Sequence, residues 1–199
     1  MYNSNTKSLK VKNGNEKIIV KRKGLNHKLI DFWRWSSSDL LSNTTRGKFA
    51  EFIVSIAMNI NLSYVRKEWG KYDLEASVDY DLIRIEVKSS AYLQTWDQFK
   101  DSKIIFSIKK TGKTSIKSEN NHFIRPSDVY VFCLLKHKNK NTVNPLNMNQ
   151  WSFYVMSTKK VDEIFHNRSS ISLSILEKHT TNINFSDLQD EIVKKYKEK

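Results

Sequence analysis

A short run of alternating residues, Leu82–Lys88, carries two side chains that could take part in hydrolysis, Glu86 and Lys88. Its odd-numbered positions are apolar, and this period of two is typical of a β-strand. Such a strand places the Glu86 and Lys88 side chains on one face, about 6–7 Å apart along the chain. The other face is wholly apolar, so we expect it to be buried.

Asp73 joins this pair if the preceding segment folds back as an antiparallel hairpin. A turn centred on Asp79–Tyr80 places Asp73 directly opposite Glu86. Directly opposed residues share a face, with Cβ atoms roughly 4.5–5.5 Å apart. The same register puts apolar residues opposite one another on the reverse face, which supports it independently. These apolar pairs are Leu74 with Ile85 and Ala76 with Ile83. Because the turn contains no glycine, we expect a loop of four residues.

Two carboxylates held this close repel each other, and each raises the pKa of the other. A divalent cation removes the conflict, since Mg²⁺ takes one or two carboxylates and completes its shell with waters and a substrate phosphate oxygen. Such a metal can activate water for attack on phosphorus, with Lys88 orienting that water or stabilising the developing charge. The alternative is a solvated strand face with a simple cross-strand ion pair. The opposed Asp73 and the buried reverse face favour the metal site.

Asp73, the step of thirteen residues to Glu86-Val87-Lys88, and a preceding helix that contains Glu51 resemble the PD-(D/E)XK nuclease superfamily. The resemblance covers about residues 44–156 and implies a restriction-endonuclease-like fold. It implies that Asp73 and Glu86 bind Mg²⁺ or Mn²⁺, with the Val87 carbonyl as a further ligand, and that Lys88 is catalytic. One departure is Tyr72, which stands where many such enzymes have a proline.

Two further side chains receive a role from the same resemblance. Glu51 either reaches the metal through a water molecule, as an upstream helix glutamate does in many relatives, or is simply solvated. Gln94 lies in the segment after the lysine, where a glutamine often assists in such enzymes. It is therefore expected to support the catalytic residues.

The flanking sequence predicts an α/β fold, with a central mixed sheet of about five strands flanked by helices. Helices are expected over His27–Leu41, Arg46–Ile60, Lys159–His166 and Ser186–Lys197. The second has an apolar stripe at helical spacing. Strands are expected at Tyr72–Ser77, Leu82–Lys88, Lys103–Lys109, Val129–Leu135 and Trp151–Met156. Arg125, just before the fourth strand, is expected to pair with Asp128 or to contact a phosphate.

Positive charge is concentrated near the start of the chain. The whole chain has a formal charge of +13, and residues 1–30 hold eight Lys or Arg against one acid, Glu16. We therefore predict a basic N-terminal arm over residues 1–30 and a single nuclease domain over residues 31–199. Clustered cations favour a polyanionic partner, although drift towards lysine in an AT-rich genome is an alternative. The expected nucleic-acid contacts are Lys21, Arg22, Lys23, Arg46, Lys71, Lys109 and Lys110.

These features together predict a metal-dependent nuclease that acts on nucleic acid, double-stranded DNA first of all, in restriction or another defence role. Two alternatives are a non-catalytic binding module on the same fold and an RNA nuclease. A homodimer would help to cut both strands of a duplex, although no interface is readable in the sequence. No apolar stretch is long enough to span a bilayer and none resembles a signal peptide, so a cytoplasmic location is expected.

Overall fold

Ten β-strands and five α-helices lie within residues 9–66, 68, 70–110, 112–113 and 123–198, the part of the chain that this computed structural model describes. The strands are β1 (Lys17–Val20), β2 (Lys23–Lys28), β3 (Leu74–Val78), β4 (Asp81–Ala91), β5 (Ile105–Ser107), β6 (Gly112–Lys113), β7 (Phe123–Ile124), β8 (Val129–Leu135), β9 (Trp151–Ser157) and β10 (Ser170–Ser172). The helices are α1 (Leu29–Ser37), α2 (Asn43–Ala57), α3 (Thr158–Phe165), α4 (Leu173–Leu176) and α5 (Leu188–Lys197).

The central sheet is mixed and has four strands in the order β3-β4-β8-β9. Strands β3 and β4 are antiparallel, β4 and β8 are parallel, and β8 and β9 are antiparallel. The prediction of about five strands is wrong by one. The run expected at Lys103–Lys109 shortens to β5, which pairs with β10 in a separate two-stranded sheet. Because β5 has only three residues, the equally short β10 is long enough to pair with all of them.

Apolar residues cover both faces of the two strands β8 and β9. All seven residues of each strand are buried, as expected for strands with packed layers above and below them. Strand β4 differs, because only alternate residues of its first half are buried. In that first half Arg84 is exposed and Glu86 is half-buried between buried apolar neighbours, and the predicted alternation is confirmed there.

Two apolar clusters lie on opposite faces of the sheet. The first cluster joins the odd-numbered residues of β4 and β8 to α2 and α5. The second joins the even-numbered residues of β8 to α3, β5 and β10. Glu86 and Lys88 point to the face of the second cluster, beside Tyr130 and Phe132 of β8. The candidate catalytic side chains thus lie where an apolar layer ends.

Helix α2 packs against β4 through Ala50, Ile53 and Val54. It begins and ends about three residues earlier than predicted. Asn59, just after it, has a φ of 52°, a left-handed conformation that asparagine tolerates and that commonly follows a helix end. This packing fixes the position of Glu51, which is 8% exposed.

The N-terminal elements stand apart from both apolar clusters. Strands β1 and β2 form an antiparallel hairpin, and α1 follows directly from it. No side chain in residues 17–37 is buried. The segment predicted as a basic arm is therefore a hairpin over residues 17–28, while residues 1–8 of that arm lie outside the described residues. Among the described residues, no helix is both long and apolar enough to cross a membrane.

Candidate active site

The predicted hairpin register is present in the structure. Leu74 pairs with Ile85 and Ala76 with Ile83 across β3 and β4, and continuing this register by one position beyond the strand places Asp73 opposite Glu86. The loop is shorter than expected, since Val78 pairs with Asp81 and only two residues lie between them. Asp79 makes this possible by adopting a φ of 55°. Aspartate reaches this left-handed region more readily than most residues, so the expectation of a four-residue loop was wrong.

Asp73 closes the end of this strand pair. It directly precedes β3, and its Oδ2 accepts a hydrogen bond of 2.8 Å from the Val87 backbone N–H. A side chain thereby replaces the backbone partner that a longer β3 would supply. The N–H and C=O of one residue in a strand point towards the same neighbour. The Val87 carbonyl therefore faces the same edge of β4 as its N–H, the edge on which Asp73 lies.

The Lys88 ammonium lies between the two carboxylates. Its Nζ is 2.5 Å from Glu86 Oε1 and 4.0 Å from Asp73 Oδ2. All three side chains are largely shielded, with exposed fractions of 26% for Lys88, 25% for Asp73 and 12% for Glu86. The structure thus brings the predicted Asp73, Glu86, Val87 and Lys88 together, and the space between the carboxylates favours a cation.

Burial dominates the electrostatics of Glu86. It raises the pKa of this carboxyl above the ordinary value, and the nearby charges of Asp73 and Glu51 raise it further. The Lys88 ammonium acts in the opposite direction without cancelling the effect. Burial, together with the Glu86 charge, likewise raises the pKa of the neighbouring Tyr130 hydroxyl. An additional positive charge at this position would lower the cost of keeping Glu86 ionised.

Arg66 holds Glu51 next to this site. The guanidinium makes two hydrogen bonds to the carboxylate, from Nε to Oε2 and from Nη2 to Oε1, the second at 2.6 Å. Its pKa is raised by the bond to Glu51 and, to a smaller extent, by the charge of Asp73. Arg66 is therefore part of the cluster, although the sequence analysis missed it. Its irregular segment has no spacing that would indicate such a role.

The segment before β3 is anchored to α2 at two points, by Arg66 to Glu51 and by Lys48 to Glu68 at 3.1 Å. Gly70 then allows a close approach of the backbone. A Cβ at this position would come within 2.7 Å of the Tyr72 carbonyl oxygen. The anchored segment and this tight passage together position Asp73 at the end of the hairpin.

Within the described residues, no three His, Cys, Asp or Glu side chains form a group that could hold a metal. Glu51 is bonded to Arg66 and largely buried, so it is not a simply solvated side chain, and its water-mediated role towards a metal stays a prediction. The oxygen donors that lie near one another, around Lys88, are the Asp73 and Glu86 carboxylates, and the Val87 carbonyl stays a predicted ligand. Hard oxygen donors of this kind suit Mg²⁺ or Mn²⁺, and Mg²⁺ needs no more than two carboxylates.

Gln94 and Arg46 belong to a network behind the site. Arg46 is buried, and its guanidinium bonds to the Leu41 carbonyl at 2.9 Å and to Ser89 Oγ at 3.2 Å. Gln94 accepts from Arg46 at 3.5 Å and donates to the Ala91 carbonyl at 3.1 Å. These groups brace the end of β4 just beyond Lys88. The buried Arg46 guanidinium therefore bonds within the protein, and we do not propose it as a nucleic-acid contact.

The other expected nucleic-acid contacts are at the surface. Lys71 is exposed two residues before Asp73, and Lys109 is exposed just after β5 with the half-buried Lys110 beside it. The remaining three form the end of the N-terminal hairpin, and all are exposed. They are Lys21, Arg22 and Lys23.

The sequence led us to expect that Arg125 pairs with Asp128 or contacts a phosphate, but the structure does not pair it with Asp128. It bonds to Asp162 and to the carbonyls of Ile108 and Arg168. Asp128 instead accepts two hydrogen bonds from the Arg84 guanidinium, each 2.8 Å long. Arg84 thus links β4 to the start of β8, and Arg125 links α3 to the segments that follow β5 and precede β10.

Comparison of this chain with known proteins identifies the protein family to which it belongs. No curated protein matches the chain. A bacterial homing endonuclease of known structure aligns over 78% of this chain and 93% of its own, with 19% sequence identity and a TM-score of 0.38, too low for a structural argument. Residues 2–175 match the family described as bacteriophage T4 endonuclease IV. Because this match spans most of the sequence, the chain belongs to the bacteriophage T4 endonuclease IV family of nucleases.

Proposed function

We propose that this protein is a metal-dependent endonuclease of the PD-(D/E)XK kind, which hydrolyses phosphodiester bonds in DNA. One observation carries the proposal: the Asp73 and Glu86 carboxylates converge on a single cation, the Lys88 ammonium, at the end of the β3–β4 strand pair. Family membership supports a nuclease, and the formal charge of +13 suits a polyanionic substrate.

Asp73, Glu86 and the Val87 carbonyl would hold Mg²⁺ or Mn²⁺ in this proposal. When bound, the metal lowers the pKa of a water and offsets charge on the phosphoryl group. Glu86 suits this role because burial already opposes its ionised form, so a nearby dication relieves an existing cost. Asp73 is restrained by the Val87 N–H, which limits the movement of one ligand before substrate arrives.

Lys88 acts on the substrate side of the same centre. Its ammonium orients the attacking water or stabilises the negative charge that develops on the phosphoryl oxygens as the P–O ester bond breaks. Arg66 is a positioning residue, since it fixes Glu51 and lies close enough to Asp73 to respond to its charge. The cations for phosphate binding are Lys71, Lys109, Lys110 and the three at the end of the N-terminal hairpin.

The test is cleavage of supercoiled plasmid, linear duplex DNA and single-stranded RNA, with Mg²⁺, with Mn²⁺ and with a chelator. We expect cleavage of DNA with either metal and none with the chelator. Asp73→Asn, Glu86→Gln and Lys88→Met should each lower the rate by about 100-fold or more, because each removes a group that acts on the transition state.

Asp81→Asn is the matched control, because Asp81 is an exposed carboxylate on the same strand as Glu86, at the far end. It should cut as fast as the parent. If folded Glu86→Gln and Lys88→Met proteins also cut as fast, the centre is elsewhere. Cleavage of RNA alone would replace the proposed substrate, and DNA binding without cleavage under all conditions would identify a binding module instead.

A further inference from the structure

The Arg66 guanidinium has two hydrogen-bonding edges, and Glu51 occupies one of them. Nε donates to Glu51 Oε2 and Nη2 donates to Glu51 Oε1, the second bond being 2.6 Å long. A guanidinium carries five N–H donors in a planar fork. The carboxylate of Glu51 therefore leaves a second edge, formed by Nη1 and the outer N–H of Nη2.

This second edge of Arg66 is accessible. Within the part of the chain that the structure describes, Nη1 donates no hydrogen bond, and the Glu68 carboxylate lies 3.9 Å away, beyond hydrogen-bonding range. The Arg66 side chain is 35% exposed, whereas its partner Glu51 is 11% exposed. The bound edge is thus anchored in the protein, and the other edge can accept a ligand from solvent.

The anchor of Arg66 belongs to a fixed element. Glu51 lies on α2, and its neighbours Ala50, Ile53 and Val54 are buried against the sheet. A carboxylate on a packed helix holds the guanidinium in one orientation before any ligand arrives. Donors that are already oriented lose less conformational entropy on binding, so this arrangement favours a ligand with matching acceptors.

Arg66 also belongs electrostatically to the candidate active site. The charge of Asp73 helps to raise the pKa of Arg66, and the charge of Glu51 helps to raise that of Glu86. Together with Lys88, the cluster has three carboxylates and two cations, and hence a net charge of −1 when all five are ionised. A bound dication would change this to +1, which matches the single negative charge of one phosphodiester.

We propose that the free edge of Arg66 binds a backbone phosphate of DNA at the cleavage site, while Glu51 holds the guanidinium in place. This inference rests on the proposed DNA nuclease function. Two parallel N–H groups match two phosphate oxygens, and such charge-assisted, bidentate bonds are strong. The alternative is that Arg66 acts only by fixing Glu51.

The test places Arg66→Met in a Glu51→Gln background, because a Glu51 carboxylate without its arginine would be a buried, unpaired charge. Both proteins are titrated with a fluorescent DNA oligonucleotide, as single strand and as duplex, in Ca²⁺ and over a range of salt. Ca²⁺ takes oxygen ligands without the tight octahedron of Mg²⁺, so the DNA should stay uncut. Melting curves confirm that each protein is folded.

Relative to Glu51→Gln alone, we expect the double variant to bind the preferred DNA form about tenfold more weakly, with a log–log salt slope flatter by about 0.7–0.9. Equal affinity and slope in the two proteins would overturn the proposal, since Arg66 would then act only through the Glu51 charge.

Lys48→Met in the same background is the matched control, because Lys48 is an exposed cation on α2 that pairs with Glu68, the other acid near Arg66. It should change DNA affinity little. A loss as large as that of the double variant would reflect general charge and contradict a specific phosphate contact.

Calorimetric titration with Mn²⁺ separates a phosphate contact from an effect on the metal. Glu51→Gln and the double variant should bind Mn²⁺ equally well, whereas Asp73→Asn should bind it at least about tenfold more weakly than the parent. A double variant that binds Mn²⁺ much more weakly than Glu51→Gln would contradict the proposal, because Arg66 would then act through the metal centre.

The phosphate contact and the nuclease function fail separately. At saturating DNA, the double variant should cut about 100-fold more slowly than Glu51→Gln in a single turnover. A parent that cuts no DNA, yet loses affinity and salt slope through Arg66→Met, would contradict the nuclease and leave the phosphate contact supported. A parent that cuts DNA, with a double variant that binds and cuts as Glu51→Gln does, would contradict the phosphate contact alone.

Discussion

At the scale of single residues, Glu86 carries the main electrostatic conflict of this protein. Its carboxyl is largely buried, stands close to Asp73 and Glu51, and has one cation, Lys88, in direct contact. The folded state therefore raises the pKa of Glu86 and disfavours its charged form. Such a carboxylate suits the metal centre proposed above, because a bound dication would offset the cost of its charge.

Glu86→Gln should make the metal-free protein more stable at neutral pH. The raised pKa means that the folded state holds the Glu86 proton to higher pH than the unfolded state, whose value is near 4.5. The parent therefore becomes less stable as pH rises from about 4.5 through the folded pKa. The advantage of the variant should be present at pH 7.5 and nearly absent at pH 4.5. Urea unfolding with a chelator measures both.

Asp81→Asn serves as the reference for that comparison, because Asp81 is exposed on the same strand. Its difference from the parent should stay small at both pH values. An advantage of Glu86→Gln that is equal at the two pH values, or larger at pH 4.5, would contradict the assignment of the cost to the Glu86 charge.

Arg125 is the residue whose removal should cost most outside the site. Its side chain is fully buried and bonds to Asp162 and to backbone carbonyls from two segments. Arg125→Met leaves those carbonyls without a donor and should lower the free energy of unfolding by about 3 kcal/mol. The exposed Arg168→Met is the control, expected within about 0.5 kcal/mol of the parent. A comparable, small effect at both positions would refute the structural role.

At the scale of elements, the site depends on register more than on composition. Period two means that shifting Asp73 by one position relative to β4 turns its side chain away from Glu86. The apolar pairs that hold β3 to β4 begin only at Leu74. An insertion between Asp73 and Leu74 should therefore disturb the site while leaving the fold intact.

Inserting one alanine between Asp73 and Leu74 should abolish cleavage and change Tm by only a few degrees. The strand pair below the insertion keeps its register, while the carboxylate no longer lies opposite Glu86. Inserting an alanine between Asp79 and Tyr80 lengthens only the distant loop and should preserve activity. Equal activity of the two insertions, measured as plasmid cleavage at one protein concentration, would mean that the Asp73 register is unimportant.

At the scale of the whole molecule, charge and core are separated in space. The apolar clusters contain none of residues 9–37, the described part of this N-terminal stretch, whereas the hairpin cations without an ion pair all lie there. Binding of a polyanion and stability of the nuclease core should therefore respond to different parts of the chain.

Deleting residues 1–37 should leave Tm within a few degrees of the parent, because residues 9–37, the part of this stretch that the structure describes, contribute no side chain to either cluster. Duplex affinity should fall, and its log–log salt dependence should flatten by about 0.9 for each phosphate that the hairpin no longer neutralises. Calorimetry and anisotropy titrations measure the two effects. A deletion protein that melts far lower would show that the N-terminal elements support the core, and an unchanged slope would mean that their charge is compositional.

Local alternation was sufficient to predict β4, its pairing with β3 and the shared face of Asp73 and Glu86. Both the strand period and the register follow from burying one side of a short segment, and neighbouring residues carry all of that information. The runs at Val129–Leu135 and Trp151–Met156 were equally readable, because strands that are buried on both faces are continuously apolar.

The remaining features depended on residues that are distant in sequence. Three arginines form ion pairs with distant acidic residues. Arg66 pairs with Glu51, Arg84 with Asp128 and Arg125 with Asp162. A polar side chain buried during folding takes whichever partner the packed elements bring within reach, and spacing does not indicate which one. The short β5 lies outside the central sheet because it pairs with β10, which follows more than sixty residues later. Local sequence does not indicate so distant a partner. The sequence thus determined the strand pair that carries the candidate catalytic residues, and tertiary packing decided which charges surround it.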